Sequence, residues 1–188
     1  NVPTLLQFAG KDALLDASWY DAEKTDFVIG TAAELYGLAY LSKKTDFAGI
    51  TIKLDKDITL NKDTPSKAED WANYLKTSKL LEWIPIGTES TPFAGTFKGE
   101  GYAINGLYIQ AGNVSYQGMF GYINKATVQD FSLKNGYIES HGSCVGGVAG
   151  RATNSVISDI HHNIKIVSTS TSEGEWGARI GGIVGQVD

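Results

Sequence analysis

The stretch SCVGGVAGRATNSVISDI, residues 143–160, places a glycine-rich run directly before a run that is typical of a β-strand. Within it lies a tetrapeptide of the form glycine, two apolar residues, glycine. The same form occurs three times in the second half of the chain, at residues 118–121, 147–150 and 182–185. The first glycines of these copies lie 29 and 35 residues apart. The spacing indicates an internal repeat, which has to be recognised before any single motif is interpreted.

Residues outside the glycines support the shorter of the two spacings. A shift of 29 residues superimposes similar side chains at several further positions: Tyr116 on Val145, Val128 on Ile157, Asp130 on Asp159 and Phe131 on Ile160. The six extra residues of the longer spacing fall most simply in the polar tract STSTSEGEWG. We interpret that tract as a loop inserted into one copy of the repeat.

A unit of about thirty residues with short β runs cannot bury its own apolar face and has to stack on a copy of itself. The sequence therefore predicts an all-β fold, a right-handed parallel β-helix whose coils occupy residues 83–188. Glycine is expected at the corners of such coils, where the chain takes a positive φ or runs so close to a neighbouring backbone that a Cβ would clash. The predicted structural corners are Gly118, Gly121, Gly147, Gly150, Gly182 and Gly185.

The first sixty residues have a different pattern and predict an N-terminal cap on the coils. Thr31 and Glu34 have the spacing of a capping box, and the apolar residues that follow predict an amphipathic helix from about Ala32 to Ser42. Apolar residues then alternate with polar ones in ITIKL and again in ITL, which predicts two short strands. A cap on the first coil would shield an open sheet edge.

Residues 61–82 are polar and predict a helical insertion in a loop. Ser66 and Glu69 offer a second capping box ahead of Trp71 and Tyr74. These two aromatic side chains either cover the coil or are exposed for recognition of a sugar or a protein, so they are candidate ligand-binding residues.

The three glycine motifs, together with VQDFSLKNGYI and FAGTFKGEGYAINGLYI, resemble the glycine-rich GLUG repeats of bacterial surface proteins, which also occur in IgA-peptidase-type surface proteins. The segment FVIGTAAELYGLAYLSKKTDFAGITIKLDKDITL, followed by WIPIG, resembles the helix-plus-strand region that commonly precedes such repeats. The resemblance implies a β-helix in a secreted or surface-attached bacterial protein, often suspected of adhesion. It implies no catalytic residues. The repeats are few, so we expect the chain to be part of a longer protein.

Two motifs suggest catalysis, and both have a structural interpretation. Cys144 lies between glycines in the form of a nucleophile elbow, with His141 nearby, but a repeat corner follows where the elbow needs a helix. Asp130 and Asp159 are equivalent positions in successive coils and would stack about 5 Å apart, near the spacing of a retaining glycosidase pair. An acid at the same place in each coil is also what a capped turn produces. We predict no catalytic residues, although a polysaccharide-acting enzyme remains the first alternative.

We expect no metal site and no cofactor. His161 and His162 are adjacent, so on a strand they face opposite sides and only one of them can join a site with His141. Two ligands make a poor structural zinc site.

Composition and charge limit the classes of function that remain. A formal net charge of -5 argues against nucleic-acid binding, and the chain has no apolar run long enough to insert in a membrane. The polar tract with Glu173, Glu175 and Trp176 is the best candidate for binding, because a large ring among polar residues suits recognition of a glycan or a host protein. We therefore predict a non-catalytic bacterial surface module, with a structural stalk beside a catalytic domain as the second alternative. An uncapped C-terminal end of the solenoid further predicts self-association.

Overall fold

The computed structural model of the chain describes residues 4–8, 11–168 and 178–188. These residues are mostly β-strand with few helices, so the prediction of an all-β protein is confirmed. The strands are, in chain order, β1 (Thr4–Phe8), β2 (Lys11–Leu15), β3 (Asp26–Ile29), β4 (Thr51–Leu54), β5 (Ile58–Thr59), β6 (Thr96–Lys98), β7 (Ala103–Asn105), β8 (Tyr108–Gln110), β9 (Phe120–Asn124), β10 (Thr127–Lys134), β11 (Tyr137–Ser140), β12 (Val145–Gly146), β13 (Ala149–Thr153), β14 (Val156–His162), β15 (Lys165–Ser168), β16 (Ile180–Gly181) and β17 (Val184–Val187). The helices are α1 (Ala32–Leu41) and α2 (Trp71–Tyr74), and a 3₁₀ turn (Ala68–Asp70) precedes α2.

Strands β1 and β2 form an antiparallel hairpin, whereas the pairings between described strands from β3 onward are parallel. The largest sheet runs β3-β4-β6-β10-β7-β5, and β14 lies on the other side of β10. Two three-stranded sheets have the orders β15-β11-β8 and β17-β13-β9, and β12 pairs with β16. Parallel neighbours need long connections, so each segment pairs with one far away in sequence.

The register of the sheets reproduces both repeat spacings. Val128 pairs with Ile157 and Phe131 pairs with Ile160, both 29 residues apart and as the sequence predicts. Across β13 and β17 the spacing is 35 residues, as in the pair of Ala149 with Val184. The predicted match of Tyr116 with Val145 is wrong by one residue, because Gln117 forms the bridge to Val145. Tyr116 instead lies opposite Cys144, and both have a positive φ, 61° and 63°.

The core lies between the sheets and contains a row of buried phenylalanines. Neighbouring ring centroids in this row are 5.3–5.9 Å apart, close enough for aromatic contacts. The row consists of Phe47, Phe93, Phe120, Phe97 and Phe131.

Helix α1 begins with the predicted capping box. The backbone N–H of Glu34 donates to Thr31 Oγ1 (3.2 Å), and the backbone N–H of Thr31 donates to Glu34 Oε2 (2.9 Å). The expectation that the helix is amphipathic is wrong, because residues 35–39 are all buried. One side of α1 joins the main core, and β2 packs on the helix as well, so water reaches little of its middle.

Candidate functional site

The polar tract STSTSEGEWG contains the best sequence candidates for a binding site. Glu173, Glu175 and Trp176 lie outside the described residues.

Trp71 does not form an exposed site, and its assignment as a ligand-binding residue is wrong. Its side chain is only 1% exposed. It packs on Tyr137 with ring centroids 5.2 Å apart, in a small cluster with Leu80 and Tyr108. Tyr74 contacts Trp71 edge-on, and its hydroxyl donates to the carbonyl of Lys62 (3.0 Å). These rings hold the 61–82 insertion on the sheet that contains β8 and β11.

The six glycines of the repeat motifs are not turning points with positive φ. Gly121, Gly150 and Gly185 lie inside strands, which corrects their assignment as corners. The other predicted reason for glycine, close approach of backbones, holds for five of the six. A Cβ added at these five would lie 2.5–2.6 Å from a backbone atom of another segment: Gly118, Gly121, Gly147, Gly150 and Gly185.

The predicted acid pair lies inside strands, Asp130 in β10 and Asp159 in β14. Asp130 and Asp159 have φ of 60° and 55°, and Glu100, whose neighbour Gly101 donates its backbone N–H to the carbonyl of Asp130, has φ of 52°. All three side chains are exposed. Asp and Asn are the non-glycine residues that tolerate this conformation best, which accounts for the acid at the repeated position.

Cys144 and the histidines His141, His161 and His162 all lie in the described part of the chain. Cys144 is buried, and its Sγ contacts Gln186 Oε1 at 3.2 Å. His161 is exposed, whereas His162 is half-buried and burial lowers the pKa of its ring. In the described part of the chain, no three His, Cys, Asp or Glu side chains come together as metal ligands.

A groove that the sequence does not signal lies beside β8. The backbone N–H of Trp83 donates to the carbonyl of Tyr108, and that of Ile86 donates to the carbonyl of Met119. These two hydrogen bonds join the ends of two stacked segments of unequal length. Between them one segment advances three residues, from 83 to 86, and the other advances eleven, from 108 to 119. The surplus residues overhang the shorter segment, and the groove lies beneath them.

The groove has two adjoining parts, of about 330 and 200 Å³. Four residues line both parts: Ile84, Pro85, Val114 and Gln117. Glu82 and Gln110 line only the larger part, and Glu89 and Tyr116 line only the smaller one. An apolar floor with a few polar groups along its rim is the usual composition of a small-ligand site.

Hydrogen bonds fix the polar groups of the rim. Glu82 Oε1 accepts from the backbone N–H of Gln110 (3.2 Å), and Glu89 Oε1 accepts from the hydroxyl of Tyr116 (3.2 Å). Gln117 is buried, and its Nε2 donates to the carbonyl of Ser115 (3.0 Å). The other side-chain oxygens of these residues form no hydrogen bond to any residue that the structure describes; they are Glu82 Oε2, Glu89 Oε2 and Gln117 Oε1. These three oxygens are available to accept bonds from a ligand.

A row of stacked groups continues from the smaller end of the groove. Tyr116 stacks on Tyr122 with centroids 6.1 Å apart, and the Arg151 guanidinium lies 4.9 Å from the Tyr122 centroid. Arg151 Nε donates to Asp188 Oδ2 at 2.6 Å. Burial, and next the hydrogen bond to Glu89, raise the pKa of Tyr116, so its phenol stays protonated at neutral pH. Tyr116 therefore presents a hydroxyl and a rigidly held ring.

Sequence reasoning missed this site for an identifiable reason. The one local signal is WIPIG, residues 83–87, which carries a proline and a glycine between apolar residues. This signal predicts a turn at residues 83–87. It does not predict that the segment stacked on it, residues 108–119, is longer.

The structure defines a mostly β protein with parallel sheets and a groove beside β8. No family model matches the chain, and no solved structure matches it significantly. Over 71 residues the chain is 37% identical to a curated protein of Evansella cellulosilytica named "Putative Gly-rich membrane protein". That match covers 36% of this chain and 8% of the relative's length. Among the described residues of this chain, no helix has the length and apolarity needed to span a bilayer.

Proposed function

We propose that the chain is a right-handed parallel β-helix acting as a non-catalytic surface module, and that its groove binds a glycan. Parallel pairing at the spacings of the sequence repeat supports the solenoid. The general right-handedness of crossovers between parallel strands supports the hand. The observation that carries the binding function is the overhung groove, in which an apolar floor lies between amide, carboxylate and tyrosine groups.

A glycan fits this chemistry for two reasons. Sugar rings have apolar faces that pack on aromatic and aliphatic side chains, here Tyr116, Val114 and Pro85. Their hydroxyls donate to side-chain oxygens, and Glu82, Glu89 and Gln117 each offer one.

An extended peptide is a poorer fit. Peptides that add to sheets need free backbone donors. In the floor segment Pro85 has no N–H, and the N–H groups of Trp83 and Ile86 are already bonded within the chain.

The distribution of carboxylates favours binding over polysaccharide cleavage. Glycosidases use two carboxylates on either side of one bond. Glu82 and Glu89 line different parts of the groove, and Glu89 is already bonded to Tyr116. The stalk alternative gains no support from the groove, because a stalk needs no such site.

A bacterial surface location belongs to the same proposal. It rests on the resemblance to GLUG repeats and on the name of the Evansella cellulosilytica protein, which describes a membrane protein. The proposal also includes self-association, which unpaired strand edges support: β14, β15, β16 and β17 each pair on one side only within the described residues.

A glycan array followed by calorimetric titration tests the binding function. We expect at least one oligosaccharide to bind, and Tyr116→Ala to weaken that binding about tenfold, as loss of one central aromatic contact does at other interfaces. Tyr102→Ala, which removes a partly buried tyrosine outside the groove, is the matched control and should leave affinity unchanged. Absence of binding to every glycan, or release of new reducing ends from a bound polysaccharide, would overturn the proposal.

A further inference from the structure

The groove has an unbalanced charge. Two carboxylates, Glu82 and Glu89, lie along its lining, and none of the lining residues is a lysine, arginine or histidine. The chain as a whole carries a formal net charge of -5, so the field around the groove is negative at long range as well.

The nearest cation along the tyrosine row does not offset this charge. Arg151 is bonded to Asp188 and lies against Tyr122, so its guanidinium already has an anionic partner and an aromatic one. The hydrogen bond and charge of Asp188 also raise the pKa of Arg151. An anionic sugar at the groove would therefore meet the two carboxylates Glu82 and Glu89, while the guanidinium beside the tyrosine row is already paired with Asp188.

Both carboxylates keep an acceptor oxygen for a ligand. The bonded oxygen of each is held by a group of the groove itself, Gln110 N–H for Glu82 and Tyr116 O–H for Glu89. An ammonium group donates up to three hydrogen bonds and carries the complementary charge, so it satisfies such an oxygen better than a hydroxyl does.

We propose that the groove selects amino-sugar chains that carry free ammonium groups, with Glu82 and Glu89 as the two specificity-determining residues. This inference rests on the proposed glycan-binding function. It excludes uronic-acid, sialylated and sulfated chains as preferred ligands, and it assigns weaker binding to the same sugar chain when every amine is acetylated.

The test compares chitosan oligosaccharides with fully N-acetylated chitin oligosaccharides of the same length, by calorimetry at about pH 6, where an aliphatic amine is charged. Partly exposed charge pairs each change affinity by a small factor, so we expect about a tenfold preference for the deacetylated chain at low salt. The preference should shrink between about 50 and 300 mM salt, since screening weakens exposed pairs. Polygalacturonate is the anionic comparison and should not bind.

Glu82→Gln and Glu89→Gln keep the shape of each side chain and remove its charge. Each should reduce the preference about threefold, because affinity for the deacetylated chain falls further than affinity for the acetylated chain. Asp159→Asn is the matched control, because it makes the same change of net charge at an exposed residue of β14 that does not line the groove.

The outcomes separate the two proposals. Binding of acetylated and deacetylated chains with equal affinity, tighter binding of polygalacturonate, or an Asp159→Asn effect equal to that of Glu89→Gln would overturn the inference and leave glycan binding intact. Binding of a basic peptide but of no sugar chain would overturn both.

Discussion

At the scale of single residues, the glycines of the repeat act through space and not through backbone conformation. Gly147 is the clearest case. Its φ is not positive, yet a Cβ there would lie 2.5 Å from the carbonyl oxygen of Gly182. The positive φ values of the repeats belong mostly to other residues, such as Asp130 and Asp159. Glycine is thus required where neighbouring backbones approach, whereas the positive-φ positions of the repeats accept other residues, Asp among them.

Gly147→Ala is expected to destabilise the protein by about 1–3 kcal/mol, the usual effect of forcing an extra carbon into a packed interior. The chain offers its own control at the same motif position of the next copy. Among the described residues, a Cβ at Gly182 would meet the His162 ring alone, at 3.4 Å, which is an ordinary contact.

Gly182→Ala should therefore be neutral, or stabilise by up to about 0.5 kcal/mol through a less flexible unfolded chain. Urea unfolding of both variants, followed by circular dichroism, measures the difference. Equal effects at the two positions would show that backbone approach does not explain the glycines.

At the scale of elements, the two capping boxes of the sequence have different outcomes. The one at Thr31 forms and begins α1. The one at Ser66 does not, since Lys67 stands at the start of the 3₁₀ turn and no side chain caps it. The insertion is held instead by its aromatic contacts, above all by Trp71 on Tyr137. Tertiary packing overrides a local signal when the element is too short to be stable alone.

Trp71→Ala is expected to release the 61–82 insertion from the sheet without unfolding the main core. Loss of a buried tryptophan is worth about 3 kcal/mol or more. The loss should be local, because Trp71 belongs to a small separate cluster. Limited proteolysis with mass spectrometry should show new cleavage within residues 61–82.

Trp83 supplies the comparison for that experiment, since its side chain is also buried but lies in the main core. Trp83→Ala should lower the unfolding midpoint of the whole protein and give no selective cleavage of the insertion. Cleavage spread evenly over the chain in Trp71→Ala would contradict a locally docked insertion.

At the scale of the whole molecule, parallel stacking leaves two ends. At one end lies the edge strand β3, which pairs only with β4 within the described residues. At the other end apolar side chains stay in contact with solvent, with Val156 56% and Val187 74% exposed. Edge strands with apolar side chains readily pair with another chain.

The double variant Val156→Lys, Val187→Lys is expected to weaken self-association of the chain at least about tenfold, because charged edges oppose strand pairing. Sedimentation velocity over a range of concentrations measures the effect. Val28→Lys is the control, since Val28 is equally exposed, at 56%, on the opposite edge strand β3. A monomeric parent chain, or dissociation caused by Val28→Lys alone, would refute association through the C-terminal end.

The sequence by itself determined the features that depend on neighbours along the chain or on exact repetition. These are the all-β class, the 29- and 35-residue spacings with the pairs Val128–Ile157 and Phe131–Ile160, and the start of α1 at its capping box. Only the tertiary structure decided that α1 is buried, that Trp71 is inside and that a groove exists. Burial depends on what packs against a side chain, and α1 meets both the core and β2. The groove depends on a difference in length between segments 83–86 and 108–119, which meet only because parallel strands stack distant parts of the chain.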